Sequence, residues 1–169
     1  MAVAHLIHGF IGSGKTTYAK KLEKELSALR FSIDEWITQL YGQNPPSDQF
    51  DEYHDRASAV IWQVAIRALQ LGQDVILDFG FWSRSSRDEA RDRIRQVGAQ
   101  PVLYSVVCSE EAMKARTLAR TAQMPGGALH IDKSAFDRLL PKFEPASIDE
   151  PHVIVRTDRI AEAVELGED

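Results

Sequence analysis

The stretch that decides the fold is Gly9-Phe10-Ile11-Gly12-Ser13-Gly14-Lys15-Thr16-Thr17. It fits the pattern G-x-x-x-x-G-K-[ST], in which glycines let backbone N–H groups turn inward on a chain of phosphates. An apolar segment, Val3 to Ile7, leads into it, and a segment with apolar residues at helical spacing, Lys15 to Leu29, follows it. The order of strand, glycine turn and helix predicts a phosphate-binding loop.

Each part of this loop is expected to bind a different part of a nucleotide or its metal ion. Backbone N–H groups and the positive end of the following helix are suited to hold phosphates. Lys15 is expected to reach the β- and γ-phosphates, and the Thr16 hydroxyl to bind Mg²⁺. ATP is favoured over GTP because Asn44 is the only asparagine, so the guanine-specific motif N-K-x-D is absent. The predicted cofactors are ATP and Mg²⁺, and the predicted ATP phosphate site comprises Gly9, Gly12, Ser13, Gly14, Lys15, Thr16 and Thr17.

Composition restricts the classes of function that fit. A chain of 169 residues, 44% hydrophobic and 27% charged, can bury one sizeable core, so we expect one domain over residues 1–169. A net charge of −5 provides no overall field that attracts nucleic acid or an anionic membrane. Cys108 is the single cysteine, which excludes an internal disulfide, and no signal peptide or membrane span is recognisable. We therefore expect a cytoplasmic protein without membrane association, and a nucleic-acid partner is not favoured.

Apolar runs alternate with helical patterns along the rest of the chain. Runs typical of buried strands cover 31–33, 74–79, 101–108 and 153–155, and helical patterns cover 51–71, about 83–97, 109–121, 134–140 and the stretch from about 159. This alternation predicts a parallel sheet with helices on both faces. Residues 121–133 lack periodicity and contain Gly126-Gly127, and they are expected to form a lid.

Two aspartates follow predicted strands, where open α/β sheets bind their ligands. Asp34 closes the second strand and is expected to face the γ-phosphate, where a carboxylate can accept the proton of an attacking hydroxyl. The alternative role of Asp34 is a helix N-cap. Asp78 ends an apolar run, as expected of a carboxylate that orients Mg²⁺, with binding of an acceptor hydroxyl or capping as alternatives. Phe79 stands where hydrolytic motor ATPases usually carry a glutamate, which favours transfer to an acceptor over hydrolysis.

Aromatic and cationic side chains follow Gly80. Trp82, Arg84 and Arg87 lie next to the predicted crevice and are assigned to acceptor binding together with Asp34 and Asp78. The alternatives are covering of the sheet for Trp82 and a solvated, salt-bridged helix face for the arginines.

A second pair of arginines, Arg116 and Arg120, is spaced four residues apart on the helix that leads into the predicted lid. Such a pair can stabilise a transferring phosphoryl group, so both are assigned to catalysis with Lys15 and Asp34. The alternative is a pair of surface charges. The five histidines lack the spacing of zinc ligands, so Thr16 and Asp78 are the only predicted metal ligands.

The segments GFIGSGKTT, FSIDEW, VILDFGFWSRSSRDEAR and KFEPASIDE together resemble the AAA_33-type P-loop kinases over about residues 5–155. That family is similar to zeta toxins, chloramphenicol phosphotransferase and polynucleotide 5′-kinase. The resemblance implies ATP-dependent phosphorylation of a hydroxyl, with Asp34 as the acceptor-activating residue. It also implies that Lys15 and Thr16 bind phosphate and Mg²⁺, and that Arg116 and Arg120 are lid arginines. The Phe-Glu-Pro turn at 143–145 recurs in the family without an assigned chemistry.

Taken together, the sequence predicts an α/β P-loop NTPase fold of the nucleoside-kinase-like type, with a lid and a five-stranded parallel sheet in the order 2-3-1-4-5. The predicted activity is transfer of the γ-phosphoryl group of Mg·ATP to a hydroxyl of a small-molecule acceptor. Two alternatives stay open: a polynucleotide 5′-hydroxyl kinase, and a non-catalytic ATP-binding module that signals to a protein partner. The sequence leaves the identity of the acceptor and of any protein partner open.

Overall fold

The computed structural model describes residues 1–158 of the chain. Its five strands are β1 (Val3–His8), β2 (Leu29–Ser32), β3 (Val75–Gly80), β4 (Gln100–Val107) and β5 (Val153–Arg156). Its helices are α1 (Lys15–Leu26), α2 (Ile33–Tyr41), α3 (Phe50–Gln70), α4 (Arg84–Gln96), α5 (Glu110–Gln123) and α6 (Lys133–Leu139), and a 3₁₀ turn follows at Leu140–Lys142. The helical segment predicted from about Arg159 lies outside the described residues.

The strands form one parallel sheet in the order β2-β3-β1-β4-β5, which confirms the predicted order. β1 is central and pairs with β3 on one side and β4 on the other, with Ala4 opposite Val75 and His5 opposite Val102. A further backbone hydrogen bond joins the carboxyl ends of β1 and β3: the Gly9 N–H donates to the Gly80 carbonyl over 3.1 Å. The carboxyl ends of these two strands therefore meet at one edge of the sheet.

Helices cover both faces of the sheet, as the alternating pattern predicts. On one face α1 buries Ala19 and Leu22 against Ile7, Ile76 and Val106. On the other face the side chains of α3 and α4 pack against those of β1 and β3, in a core that includes Ile61, Ala65, Ile94, Leu6 and Leu77. Two apolar layers thus fix the sheet, and the polar residues at its carboxyl edge are left to form a site.

The predicted boundaries differ from the observed ones in the segment between α1 and α2. The helix predicted to reach Leu29 ends at Leu26, because Ser27 adopts a left-handed conformation with φ of 51° and the chain turns into β2. The strand predicted at 31–33 begins two residues earlier, and Ile33 belongs to α2. Asp34 accordingly lies in the first turn of α2, just past the end of β2, and not on the strand itself.

The segment predicted as a lid is shorter than expected. α5 extends to Gln123 and α6 begins at Lys133, so the connecting loop covers 124–132. The Gln43 side chain donates to the Pro125 carbonyl over 2.8 Å, and its own backbone carbonyl accepts from the His130 N–H over 3.0 Å. The loop is thereby fastened to the end of α2. Among residues 1–158, no helix combines the length and the apolar character that crossing a bilayer requires.

Candidate functional site

The glycine loop between β1 and α1 encloses a small cavity of about 170 Å³. Gly12 has a φ of +77° and Gly14 a φ of +98°, a region that residues with a Cβ rarely enter. A methyl group on Gly12 would collide with the Met113 carbonyl oxygen and would stand 2.6 Å from the Thr117 hydroxyl. Both conformation and space therefore require glycine at position 12. The lining combines residues of the loop and the start of α1 with three charged side chains from other elements: Ile11, Gly12, Gly14, Lys15, Thr16, Thr17, Asp34, Arg116 and Arg120.

Lys15 begins α1 and directs its ammonium group along the loop. Its Nζ donates to the Phe10 carbonyl over 2.9 Å, which holds the side chain across the turn. Desolvation in the crevice lowers the pKa of Lys15, whereas the carboxylates of Asp78 and Asp34 raise it and the Arg120 charge lowers it further. The two carboxylates and Arg120 are thus near enough to act on the Lys15 charge. Ser13 lies beneath the loop with a buried Oγ that has no hydrogen-bond partner among the described residues.

Thr16 and Asp78 meet across the crevice. The Thr16 hydroxyl donates to Asp78 Oδ2 over 2.7 Å, so an oxygen from α1 and one from β3 face the same point. Asp78 is 4% exposed, and this burial raises the pKa of its carboxyl while Lys15 and Thr16 lower it. The pair supplies the hard oxygen donors that Mg²⁺ prefers, and Mg²⁺ commonly takes only one or two protein ligands beside phosphate and water. No group of three or more His, Cys, Asp or Glu residues that could hold a metal occurs within 1–158. The residues present therefore fit a magnesium ion bound mainly through a nucleotide.

The two arginines predicted to act on the phosphoryl group, Arg116 and Arg120, have different surroundings. Arg120 lines the small cavity, and its buried Nε has no hydrogen-bond partner among the described residues. Arg116 also lines this cavity, but its guanidinium donates to the Thr157 hydroxyl over 2.9 Å and to the Thr157 carbonyl over 3.0 Å. The Thr157 hydroxyl in turn donates to the Ser13 carbonyl over 2.7 Å. Arg116 thus connects the end of β5 to the glycine loop.

A second, larger cavity of about 670 Å³ opens beside the first. The lining of both cavities includes Ile11, Lys15, Asp34 and Arg120, so these side chains stand between the two spaces. Asp78 and Trp82, both predicted to bind an acceptor, also line the larger cavity. Phe81, which precedes Trp82 in the chain, lines this cavity too. Aromatic residues not expected there from the sequence contribute much of the remaining wall: Phe50, Trp62 and Phe79. Their signal in the sequence is weak because each also fits a buried core position.

Arg84 and Arg87, the two arginines predicted to bind the acceptor, do not line either cavity. Arg87 is fully buried, and its Nε and Nη2 donate to the two carboxylate oxygens of Glu150 over 2.8 and 2.7 Å. Its Nη1 donates to the carbonyls of Phe81 and Glu144 over 3.1 and 3.0 Å. Arg84 pairs with Asp88 and Asp149, each over 3.0 Å. Both guanidinium groups therefore have protein partners that take the place of the predicted acceptor.

The Phe-Glu-Pro turn lies behind this buried ion pair. The Phe143 ring stacks on the imidazole of His8 with centroids 4.9 Å apart, at the end of β1. Glu144 accepts from the Arg84 N–H over 2.8 Å, at the start of α4, and its own N–H donates to the Trp82 carbonyl over 2.9 Å. Burial lowers the pKa of His8 to about 4, so this imidazole is neutral at physiological pH. Residues 143–150 thus support one wall of the larger cavity from behind.

Comparison with known proteins agrees with this architecture. The family model AAA_33, described as an AAA domain, matches residues 5–146. No curated protein sequence is significantly similar to the chain.

Three solved structures share the fold. A candidate kinase from Chloroflexus aurantiacus is 18% identical with a TM-score of 0.76, and the match covers 99% of each chain. Kti12 of Chaetomium thermophilum, solved in complex with ADP-AlF3, is 17% identical with a TM-score of 0.67, over 96% of this chain and 94% of the other. A gluconokinase from Sinorhizobium meliloti is 16% identical with a TM-score of 0.64, over 96% of this chain and 87% of the other. At these identities the likeness concerns the fold alone. Since the family match extends over most of the sequence and the sheet has the order expected of it, the chain belongs to the AAA_33 family of P-loop, kinase-like proteins.

Proposed function

We propose that this protein is a kinase that transfers the γ-phosphoryl group of Mg·ATP to a hydroxyl of a small-molecule acceptor. The observation that carries the proposal is the junction of the two cavities at Lys15, Asp34 and Arg120. The small cavity is lined by the glycine loop, as a phosphate chain requires, and the large one has the volume of an ordinary small-molecule site. A group that passes from one cavity to the other must pass these three side chains.

Each of the three has a distinct task in this reaction. Lys15 leaves the Phe10 carbonyl and donates to the β- and γ-phosphates. Arg120 donates its unpaired Nε–H to an oxygen of the transferring group, whose negative charge it balances. Bound Mg²⁺, held by Thr16 and Asp78, would withdraw charge from the phosphate oxygens.

Asp34 prepares the acceptor. Its carboxylate accepts a hydrogen bond from the acceptor hydroxyl and takes the proton as the reaction proceeds. The acceptor oxygen forms a bond to the γ-phosphorus, the bond from that phosphorus to the β–γ bridging oxygen breaks, and ADP leaves with that oxygen. The proton on Asp34 then passes to solvent. The apolar wall of the large cavity keeps water from competing with the acceptor.

The variant Asp34→Asn tests this assignment, since it keeps the shape of the side chain and removes its ability to take a proton. We expect the rate of phosphoryl transfer to fall by roughly 100- to 10,000-fold while the affinity for Mg·ATP changes by less than about threefold. The measurement is ADP release and ³¹P NMR of the product across a panel of hydroxyl compounds, with calorimetry for ATP binding.

Glu35→Gln is the matched control, because Glu35 is adjacent on α2 but its carboxylate pairs with Arg30 over 2.9 Å. It should leave the transfer rate within about twofold of the unmodified protein. Transfer that persists in the Asp34 variant would remove Asp34 as the base. Tight, Mg-dependent ATP binding without turnover of any acceptor would instead favour the regulatory module.

A further inference from the structure

The wall of the larger cavity restricts the chemical class of the acceptor, and the inference below rests on the proposed kinase function. Apart from Asp78, its buried lining is apolar: Ile33, Trp62, Phe81, Ala90 and Leu129. Partly buried rings extend this surface, since Phe79 stacks on Phe81 with centroids 5.6 Å apart and a 15° angle between the planes. Trp62 meets Phe79 edge-on at 6.2 Å. The middle of the cavity is thus an aromatic surface.

The polar groups of this wall are mostly paired within the protein. Ser83 Oγ accepts from the Ser86 N–H over 3.1 Å and caps α4, and the Ser86 hydroxyl donates to the Ser83 carbonyl over 2.8 Å. The carbonyls of Gly80 and Phe81 accept from His8 Nδ1 over 3.1 and 3.0 Å. Among the described lining residues, the Ser58 hydroxyl and the Trp82 indole N–H are left without a protein partner, and His54 lies 3.8 Å from the Asp55 carboxylate. The buried part of the wall therefore offers few partners to a ligand with many hydroxyls.

The charged groups of the lining do not select a charged acceptor. Apart from Asp78 and the side chains that line both cavities, every charged lining residue is solvent-exposed. These residues carry charges of both signs: Asp51, Asp55, Glu89, Arg93 and Lys142. Arg93 lies over the Trp62 ring, with its guanidinium carbon 5.4 Å from the ring centroid. Exposed charges of mixed sign contribute little to binding energy. The affinity for an acceptor should therefore depend more on the shape and polarity of its uncharged part than on its net charge.

We propose that the acceptor is an alcohol that carries a flat, largely apolar ring system, and not a polyol such as an open-chain or ring sugar. A ring system buries its faces against Phe79, Phe81 and Trp62, where aromatic pairs gain beyond simple area burial. A polyol would leave hydroxyls without partners in the apolar part of the cavity, and each such hydroxyl lowers affinity by roughly tenfold. The hydroxyl of the ring compound is then directed at Asp34, which lines both cavities.

Matched alcohols test the inference. The probes are 2-phenylethanol and indole-3-ethanol on one side and ribitol and sorbitol on the other, each supplied with Mg·ATP. We expect kcat/KM for the aromatic alcohols to exceed that for the polyols by at least about tenfold. Polyols phosphorylated as well as or better than the aromatic alcohols would overturn the inference while the kinase function stands.

A pair of variants at Phe79 adds a test within the cavity. Phe79→Asn places an amide on the aromatic surface, whereas Phe79→Leu keeps the surface apolar and removes only the ring. The asparagine variant should raise KM for 2-phenylethanol by about tenfold, the leucine variant by about threefold, and neither should change KM for ATP. An unchanged KM for 2-phenylethanol in the asparagine variant, with an unchanged melting temperature, contradicts the inference.

Calorimetry on the complex with Mg²⁺ and a non-hydrolysable ATP analogue separates the two possible failures. Aromatic alcohols that bind to this complex but are never phosphorylated contradict the proposed function. Polyols that bind as tightly as the aromatic alcohols, or aromatic alcohols that do not bind, contradict the acceptor class.

Discussion

Gly12 shows how far a single residue controls the phosphate loop. Its backbone is left-handed, and the space beside its Cα is filled by the Met113 carbonyl oxygen and the Thr117 hydroxyl of α5. The Thr117 hydroxyl is itself held, since it donates to the Met113 carbonyl over 2.7 Å. Neither neighbour is the free end of a flexible side chain. A side chain at position 12 must therefore displace α5 or distort the loop.

We expect Gly12→Ala to lower the free energy of unfolding by roughly 2–4 kcal/mol, through the left-handed backbone and the collision together. It should also weaken Mg·ATP binding, because the distorted turn is the phosphate cradle. Urea denaturation and calorimetry measure the two effects. Gly126→Ala is the control, since its Cβ would meet nothing within 4 Å, and it should change neither quantity appreciably. A stable Gly12→Ala variant with normal ATP affinity would contradict the assigned role of the loop.

Residues whose positions depend on their neighbours in the chain could be located from the sequence. Lys15 and Thr16 follow from the spacing of one motif, and Asp78 from the apolar run before it. Arg87 could not be placed in this way, because its partner Glu150 is 63 residues further along the chain. A helical arginine with acidic neighbours gives no sign that a distant carboxylate will bury it. The same holds for Phe50 and Trp62, whose apolar character fits core and cavity equally well.

At the scale of elements, the segment 143–150 holds the larger cavity's wall in place. Glu150 is 2% exposed and accepts hydrogen bonds from Arg87 and from Arg91, the latter over 3.0 Å, and Arg84 Nη1 lies 3.6 Å away. Because Arg87 also binds the Phe81 carbonyl, the ion pair connects this segment to the end of β3. The segment and the wall should therefore lose their order together.

The variant Glu150→Gln leaves the buried Arg87 guanidinium without a balancing charge. We expect it to lower the free energy of unfolding by about 3–5 kcal/mol in urea denaturation, because a broken buried pair leaves an uncompensated charge. Asp149→Asn is the matched control: Asp149 is exposed and pairs with the partly exposed Arg84, so its loss should cost about 1 kcal/mol or less. Equal effects of the two substitutions would show that the buried pair does not hold the segment.

The same carboxylate makes stability depend on pH. Hydrogen bonds from Arg87 hold the pKa of Glu150 well below its ordinary value of 4.5 in the folded protein. The unfolded chain takes up the proton more readily, so the stabilisation is fully present above about pH 4.5 and is lost as the pH falls below it. Unfolding free energies measured between pH 3 and pH 7 should fall more steeply for the unmodified protein than for Glu150→Gln. Parallel profiles would contradict this account.

The loop at 124–132 is held in place by the side chain of Gln43, which follows the end of α2. Gln43 Nε2 donates to the carbonyls of Pro125 and Ala128 over 2.8 and 3.3 Å. We expect Gln43→Ala to speed amide hydrogen exchange in this loop by about five- to tenfold, as the loss of about 1 kcal/mol of hydrogen bonding implies. Gln70→Ala, on the exposed end of α3, should leave that exchange unchanged. If the two variants exchange at the same rate in this loop, the Gln43 side chain does not hold the loop in place.

Helices and strands with a clear periodicity of apolar residues could be predicted from the sequence, but the residues at which they begin and end could not. The strands and the long helices follow from apolar runs and helical stripes, which are properties of whole segments, whereas the strand order follows from the resemblance to P-loop kinases. The end of α1 was misplaced because Leu29 continues the helical stripe although it begins β2. The left-handed turn at Ser27 decides that boundary, and serine carries no particular signal for such a conformation.

At the scale of the whole molecule, the net charge favours a small-molecule acceptor over a polynucleotide. A charge of −5 opposes the phosphate contacts that hold nucleic acids. We expect 5′-hydroxyl oligonucleotides at up to about 100 μM to leave phosphorylation of a small alcohol unchanged at physiological salt. The assay is ADP release with and without oligonucleotide at several salt concentrations. Inhibition that weakens steeply as salt rises would instead support the polynucleotide kinase.

The most direct test of the account is a crystal structure of the protein with Mg²⁺ and a non-hydrolysable ATP analogue. We expect the γ-phosphate in the glycine-lined cavity, with Lys15 Nζ moved from the Phe10 carbonyl to the phosphates and Asp34 facing the terminal group. A nucleotide bound elsewhere, with Lys15 still on the Phe10 carbonyl, would contradict it.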